Sequence, residues 1–175
     1  GVLRLQTVLD GETVKRVYPH LGYIHRGIEK MCESLTYPQT LALTDRLNYL
    51  SAMMHRHALV GVIEEGLGVE LTDRIKYIRT IMDELQRIDS HLLYVGCCAQ
   101  DMGALTAFLY SMRDREHVLN CMEETTGGRL IQNYYRIGGL QDDIDPNFVK
   151  NVKDLVKYMK PIIQEYVDVF GDNII

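Results

Sequence analysis

Hydrophobic and polar residues alternate at the start of the chain and then change period. Leu3, Leu5, Thr7 and Leu9 share one face of a strand, and Val14 to Tyr18 returns as a second. Asp10-Gly11 between them is a two-residue turn signal, so Val2 to Tyr18 reads as a β-hairpin. After Pro19 the spacing becomes helical. A short helix is expected over Ile24–Glu33, and a second from about Asp45 to Glu65, where Gly66 and Gly68 can stop it. Its sequence, "LNYLSAMMHRHALVGVIEE", is apolar on most sides, as suits a helix surrounded by others. Thr72 is a good N-cap for a third helix, whose stripe comprises Ile75, Ile78, Met82, Leu85, Ile88 and Leu92. A break is expected at Asp101-Met102-Gly103, then a fourth helix from about Ala104 to Glu124, ending at Gly127-Gly128. "RLIQNYYRIGG" reads as extended and turn-rich. Asp145-Pro146 opens a last helix in which Phe148, Val149, Val152, Val156, Met159 and Ile163 recur at helical spacing, with a kink expected at Pro161. The prediction is a mainly α fold, a helical bundle with a small N-terminal β-hairpin. It comprises 1–175 as a single domain or a fragment of one, hairpin over 1–20 and bundle over 21–175.

Composition narrows the function classes. The chain has 175 residues, 46% hydrophobic and 25% charged, as in ordinary globular domains. A formal net charge of -5 argues against a general nucleic-acid binder, and no nucleic-acid partner is expected. The uncharged run from His91 to Gln100 is about ten residues, half of what a bilayer-spanning helix needs, so no transmembrane segment is expected. The chain begins at Gly1 without a methionine and ends in "VFGDNII", which suggests a fragment.

No metal site is expected. The four cysteines, Cys32, Cys97, Cys98 and Cys121, show no CxxC spacing and read as reduced thiols. None of the six histidines sits in HExxH, and His55 and His57, two apart, point to different faces of a helix. They read as core or surface residues. The charged run "RDRE" from Arg113 to Glu116 reads as a solvated helix face, and the glycine pairs lack the strand–turn–helix setting of a dinucleotide site.

Two residues invite a chemical reading. Asp101 is the one charged residue between Leu92 and Met112, so it must be capped, paired, solvated or proton-carrying. A helix N-cap near Ala104 and a functional acid both fit. Tyr49 is either a core aromatic with its hydroxyl at the surface, or a donor to a carbonyl, since a phenol is protonated at neutral pH.

The succession "GVLRL", "PHLGYIHRGIEK", "TYPQ", "DRLNYLS", "ELQRIDSHLL", "DMGALTAF", "RE" and "NYYRIGG" resembles the quinone-site subunit of respiratory complex I, the hydrogenase-large-subunit-like D component of bacterial NADH:quinone oxidoreductases. The resemblance covers the whole chain, which corresponds to less than half of a typical member, from its amino-terminal side. It implies a fold like part of the nickel–iron hydrogenase large subunit. There an Arg-x-Cys-x-x-Cys motif ligates metal, and Asn48 and Ser51 stand here in the cysteine positions, so no metal is implied. Tyr49 is then implied to hydrogen-bond a quinone carbonyl. Asp101 is implied to support the family's quinone histidine, in a His-Pro-x-x-His-Gly segment of which only the closing glycine, Gly1, is present. Arg26 is implied to lie near the terminal iron–sulfur cluster without ligating it, a salt bridge to Glu29 or Glu33 being the alternative.

Quinone is the implied substrate; the iron–sulfur cluster, flavin and NADH belong to partner subunits. Implied partners are other peripheral-arm subunits, above all the iron–sulfur subunit that holds the terminal cluster, and membrane-arm subunits. The location implied is peripheral, on the cytoplasmic side of the bacterial inner membrane, with quinone reduction coupled to proton translocation. The fragment alone is expected to be inactive. The competing readings are the large subunit of a hydrogenase-like or deazaflavin-linked dehydrogenase, and a non-catalytic helical scaffold.

Overall fold

The computed structural model describes residues 2–171, so Gly1 and the last four residues lie outside it. The chain divides into two compact units, Gly1–Thr36 and Tyr37–Ile175.

The first unit is built on the predicted hairpin. Strands β1 (Arg4–Asp10) and β2 (Thr13–His20) pair antiparallel, with a bulge between Val8 and Leu9. Its tight turn is Gly11-Glu12, one residue later than the sequence pattern indicates. Gly11, at φ 59°, takes the first turn position, where positive φ is required and glycine adopts it without a Cβ penalty. Leu5 faces Pro19 and Leu9 faces Val14, so one surface of the ribbon is apolar, yet every hairpin residue is exposed. Helix α1 spans only Ile28–Cys32, shorter than expected, because Gly27 adopts a left-handed conformation just before it.

The second unit is helical. Helix α2 covers Tyr37–Thr44, with Pro38 in its first turn, where its missing N–H costs no bond. The helix expected from about Asp45 therefore does not start there. The chain leaves α2, makes a 3₁₀ turn over Tyr49–Ser51, and enters α3 at Ala52–Leu67. Helix α4 runs Asp73–Asp101, its N-cap Thr72 accepting from the Ile75 amide at 3.5 Å. Helix α5 follows over Leu105–Thr126 and stops at Gly127, as its glycines indicate. A small hairpin of β3 (Tyr135–Arg136) and β4 (Gly139–Leu140) leads to α6, Phe148–Tyr166, which continues through Pro161 into a short π-helical stretch, Val167–Gly171.

The longest pairing is α4 against α5. It closes tightest where a Cβ on Gly96 would meet Ser111 Oγ at 2.0 Å, so only glycine permits that approach. The α4 stripe buries as predicted, with Ile78, Met82, Leu85 and Leu92 in one core with Val118, Met122, Tyr134, Tyr135 and Phe148. On α6 the buried face is Phe148, Leu155 and Met159. Val149, Val156 and Ile163, placed by spacing on the same stripe, are exposed. Their seven-residue repeat forms a second stripe that no described element covers. Among the described residues no helix is long and apolar enough to cross a membrane.

Candidate functional site

In the stretch from Thr36 to Ser51 three polar side chains bond its own backbone. Thr40 Oγ1 donates to the Tyr37 carbonyl at 2.7 Å, Thr44 Oγ1 to Leu41 at 2.9 Å, and Arg46 to Ala42 at 2.6 Å. Such bonds let α2 end compactly. Asp45 turns inward, where Arg56 of α3 grips both its oxygens at 2.7 and 2.5 Å and also donates to the Tyr135 carbonyl.

Tyr49 opens the 3₁₀ turn. The residue is 54% exposed, so it is no core residue, and its hydroxyl has no partner among the described residues. The turn beneath it is held firmly. Gln86 Nε2 donates to the Leu50 carbonyl at 2.9 Å, and Ser90 Oγ reaches the same oxygen at 3.4 Å and Ser51 Oγ at 2.9 Å. Gln86 also donates to Asp89 Oδ2 at 3.3 Å. Asp89, 1% exposed, is paired with Arg115 of α5 at 2.8 Å. Burial pushes its carboxyl up to about 6, against the pull of Arg115. Gln86 Oε1 is buried without a partner, which costs about 1–3 kcal/mol in such a setting.

Asp101 is the last residue of α4 and is exposed. The N-cap of α5 is Ala104, with no side-chain cap bond, so the capping role considered for Asp101 is not what the fold uses. It has no partner among the described residues, although an acid at a helix C-terminus is disfavoured by the helix dipole. Arg26 is exposed and belongs to the first unit. Gly1, the expected end of the histidine segment, lies outside the described residues.

Two further polar clusters escaped sequence reasoning. Arg79 of α4 forks onto Glu64 of α3 at 2.8 Å to each oxygen, and donates to the Arg136 and Gly139 carbonyls. Glu64 also accepts from the Gly138 amide at 2.7 Å. Burial raises the Glu64 carboxyl, but Arg79 and that amide outweigh it and hold it below its usual range. The Tyr135 hydroxyl lies 2.8 Å from Asp83 Oδ1, whose other oxygen meets His57 Nδ1 at 2.5 Å. The "RDRE" run is not a solvated face. Asp114 is fully buried, bound by Arg113 on its own helix and by the Tyr158 and Tyr166 hydroxyls of α6. Those partners lie far along the chain, so only an alternation of burial on α5 could have hinted at it. The four cysteines are free thiols, and no cluster of three or more His, Cys, Asp or Glu side chains suited to a metal occurs among the described residues.

A family model described as "Respiratory-chain NADH dehydrogenase, 49 Kd subunit" matches residues 101–175. The chain is 63% identical over all 175 residues to the C/D component of NADH-quinone oxidoreductase from Phocaeicola vulgatus, covering 34% of that protein. It is 46% identical over 175 residues to the second D component of the same type of oxidoreductase from Opitutus terrae, covering 44% of it. With the D component from Geobacter sulfurreducens the identity is 45% over 156 residues, 89% of this chain and 40% of that one. The chain thus spans between a third and a half of the length of these relatives.

Proposed function

The chain belongs to the family of the 49 kDa subunit of respiratory-chain NADH dehydrogenases, the D component of NADH-quinone oxidoreductases, and on that premise we propose that it forms part of the quinone headgroup site. Tyr49 donates the hydrogen bond that holds one quinone carbonyl. One observation carries this reading: an unpartnered, exposed phenol sits on a turn clamped to α4 from below. A surface tyrosine of no consequence needs no such clamp. A protonated phenol suits a carbonyl acceptor, and its donation strengthens as the carbonyl oxygen gains negative charge on reduction.

Asp101 lies eleven residues beyond Ser90 on α4, on the order of 16 Å along the helix axis. It therefore serves a different part of the site from Tyr49. There a carboxylate holds a positive or proton-bearing neighbour such as the family's histidine. Arg26, a cation from the first unit, belongs beside the cluster that delivers electrons, where positive charge favours the reduced state. The partners in this reading are the iron–sulfur subunit holding that cluster, the other peripheral-arm subunits and the membrane arm. They carry the flavin, the NADH site and the coupling to proton movement, on the cytoplasmic face of the membrane.

Tyr49→Phe in the complete oxidoreductase tests the proposal. The ring keeps its packing and only the hydroxyl is lost, so about 1–3 kcal/mol of stabilisation disappears. Quinone reduction should fall roughly five- to a hundred-fold, with electron transfer from NADH to an artificial acceptor upstream unchanged. Parent-level rates in both assays would remove Tyr49 from the quinone contact. Equal loss in both would mean faulty assembly and would remove the evidence for a quinone contact.

A further inference from the structure

We propose that Gln86 and Asp89 are positioning residues for Tyr49, fixing its turn against α4 through the Leu50 carbonyl. The inference rests on Tyr49 being the quinone's hydrogen-bond donor.

A continuous polar path carries it. Arg115 of α5 donates to Asp89 Oδ2 at 3.1 Å through Nη2, and its Nε lies 2.8 Å from Oδ1 as an ion-pair contact that leaves both atoms without a hydrogen bond. Asp89 accepts from Gln86 at 3.3 Å, and Gln86 donates to the Leu50 carbonyl at 2.9 Å, one residue from Tyr49. Ser90 ties down the other side of the turn through Ser51 at 2.9 Å. The Gln86 amide has one workable orientation. Turned over, it would set its oxygen against two acceptors, the Leu50 carbonyl and the Asp89 carboxylate. Asp89 thereby chooses the face that Gln86 shows to the turn, and Arg115 holds Asp89.

The arrangement is poor as a device for stability alone. It buries a carboxylate next to the apolar positions Leu85 and Leu92, and it strands Gln86 Oε1. Apolar side chains would fill the same space without those costs. The polar path instead sets the direction of a backbone carbonyl, and with it the aim of the adjoining side chain. Aim matters at a donor because small misplacements of a reacting contact cost large factors in rate. Neither Gln86 nor Asp89 touches the substrate in this scheme; both act through Tyr49.

A double-mutant cycle in the complete oxidoreductase decides it, using Gln86→Leu and Tyr49→Phe singly and together, with kcat/KM for a soluble short-chain quinone as the readout. Gln86→Leu should lower it roughly five- to fifty-fold, while the rate with an artificial acceptor upstream stays at the parent level. In the Tyr49→Phe background the same change should have no further effect, a coupling that general destabilisation does not produce. Equal fold losses in both backgrounds, or no loss in either, overturn the inference while leaving Tyr49 as donor intact. Should Tyr49→Phe by itself run at the parent rate, the underlying reading of Tyr49 fails instead, and this inference with it. If Gln86→Leu does not assemble, the cycle is run with Asp89→Asn, which keeps the volume and removes the charge. A several-fold loss confined to the Tyr49 background supports the positioning role, and an additive or absent effect overturns it.

Discussion

The helical unit treats buried polar groups in two ways. Around the β3–β4 hairpin almost every one is answered: Glu64 accepts three bonds, Arg56 closes on Asp45 and Tyr135, and Tyr135 meets Asp83. Arg79 Nε and, three residues before β3, Gln132 Oε1 have no hydrogen-bond partner among the described residues. Around the Tyr49 turn the balance differs. Gln86 Oε1, Asp89 Oδ1 and Arg115 Nε have no hydrogen-bond partner, burial raises the Asp89 carboxyl, and Tyr49 is exposed with its hydroxyl unpartnered among the described residues. The first region spends polar chemistry on locking α3, α4 and a short hairpin into one arrangement. The second leaves the Tyr49 hydroxyl exposed, with no partner among the described residues. Satisfied polar groups dominate around the hairpin, and unsatisfied ones recur around the turn.

The heaviest test of that contrast falls on the scaffold. Glu64→Gln leaves the buried Arg79 guanidinium without its counter-charge and should cost about 3–5 kcal/mol, read from thermal or denaturant unfolding. A cost near that of a surface substitution would break the comparison. Asp89 should behave in the opposite sense with pH. Its folded carboxyl is raised from 3.8 to about 6, so the folded state holds its proton more tightly than the unfolded chain, and its contribution to stability falls as pH rises through that window. Unfolding followed between those limits should show Asp89→Asn gaining on the parent, by at most about 3 kcal/mol. A variant that loses ground to the parent over that range would mean that Arg115 more than offsets burial.

Asp101→Asn is expected to show the site's signature, slowing quinone reduction about tenfold or more in the complete oxidoreductase. Stability should stay within about 0.5 kcal/mol, because the residue is exposed and caps nothing. Unchanged turnover would move Asp101 out of the site. The smallest effect belongs to Thr72→Ala, which removes an N-cap bond already long at 3.5 Å and should cost about 0.5 kcal/mol, with no change in turnover. A loss of quinone activity there would blur the line between the two regions.

The sequence alone determined the period of each segment and most of its punctuation. Alternation announced the first hairpin, the stripe from Ile75 to Leu92 announced α4, and Thr72, Gly103 and Gly127 marked ends that the fold uses. These are local properties, set by side-chain spacing and backbone preference within a few residues. The motif order also carried the family and singled out Tyr49, Asp101 and Arg26. Tertiary structure decided which polar groups would be answered. Asp45 looked like a helix start and is an ion-pair partner; "RDRE" looked solvated and holds a fully buried acid; Asp89 and Gln86 stood only as letters of a motif, with no role of their own. Each finds a partner on another element, tens of residues away in several cases. Whether a carboxylate is buried, paired or left to face a substrate depends on what the fold brings next to it, and no spacing along one helix encodes that neighbour.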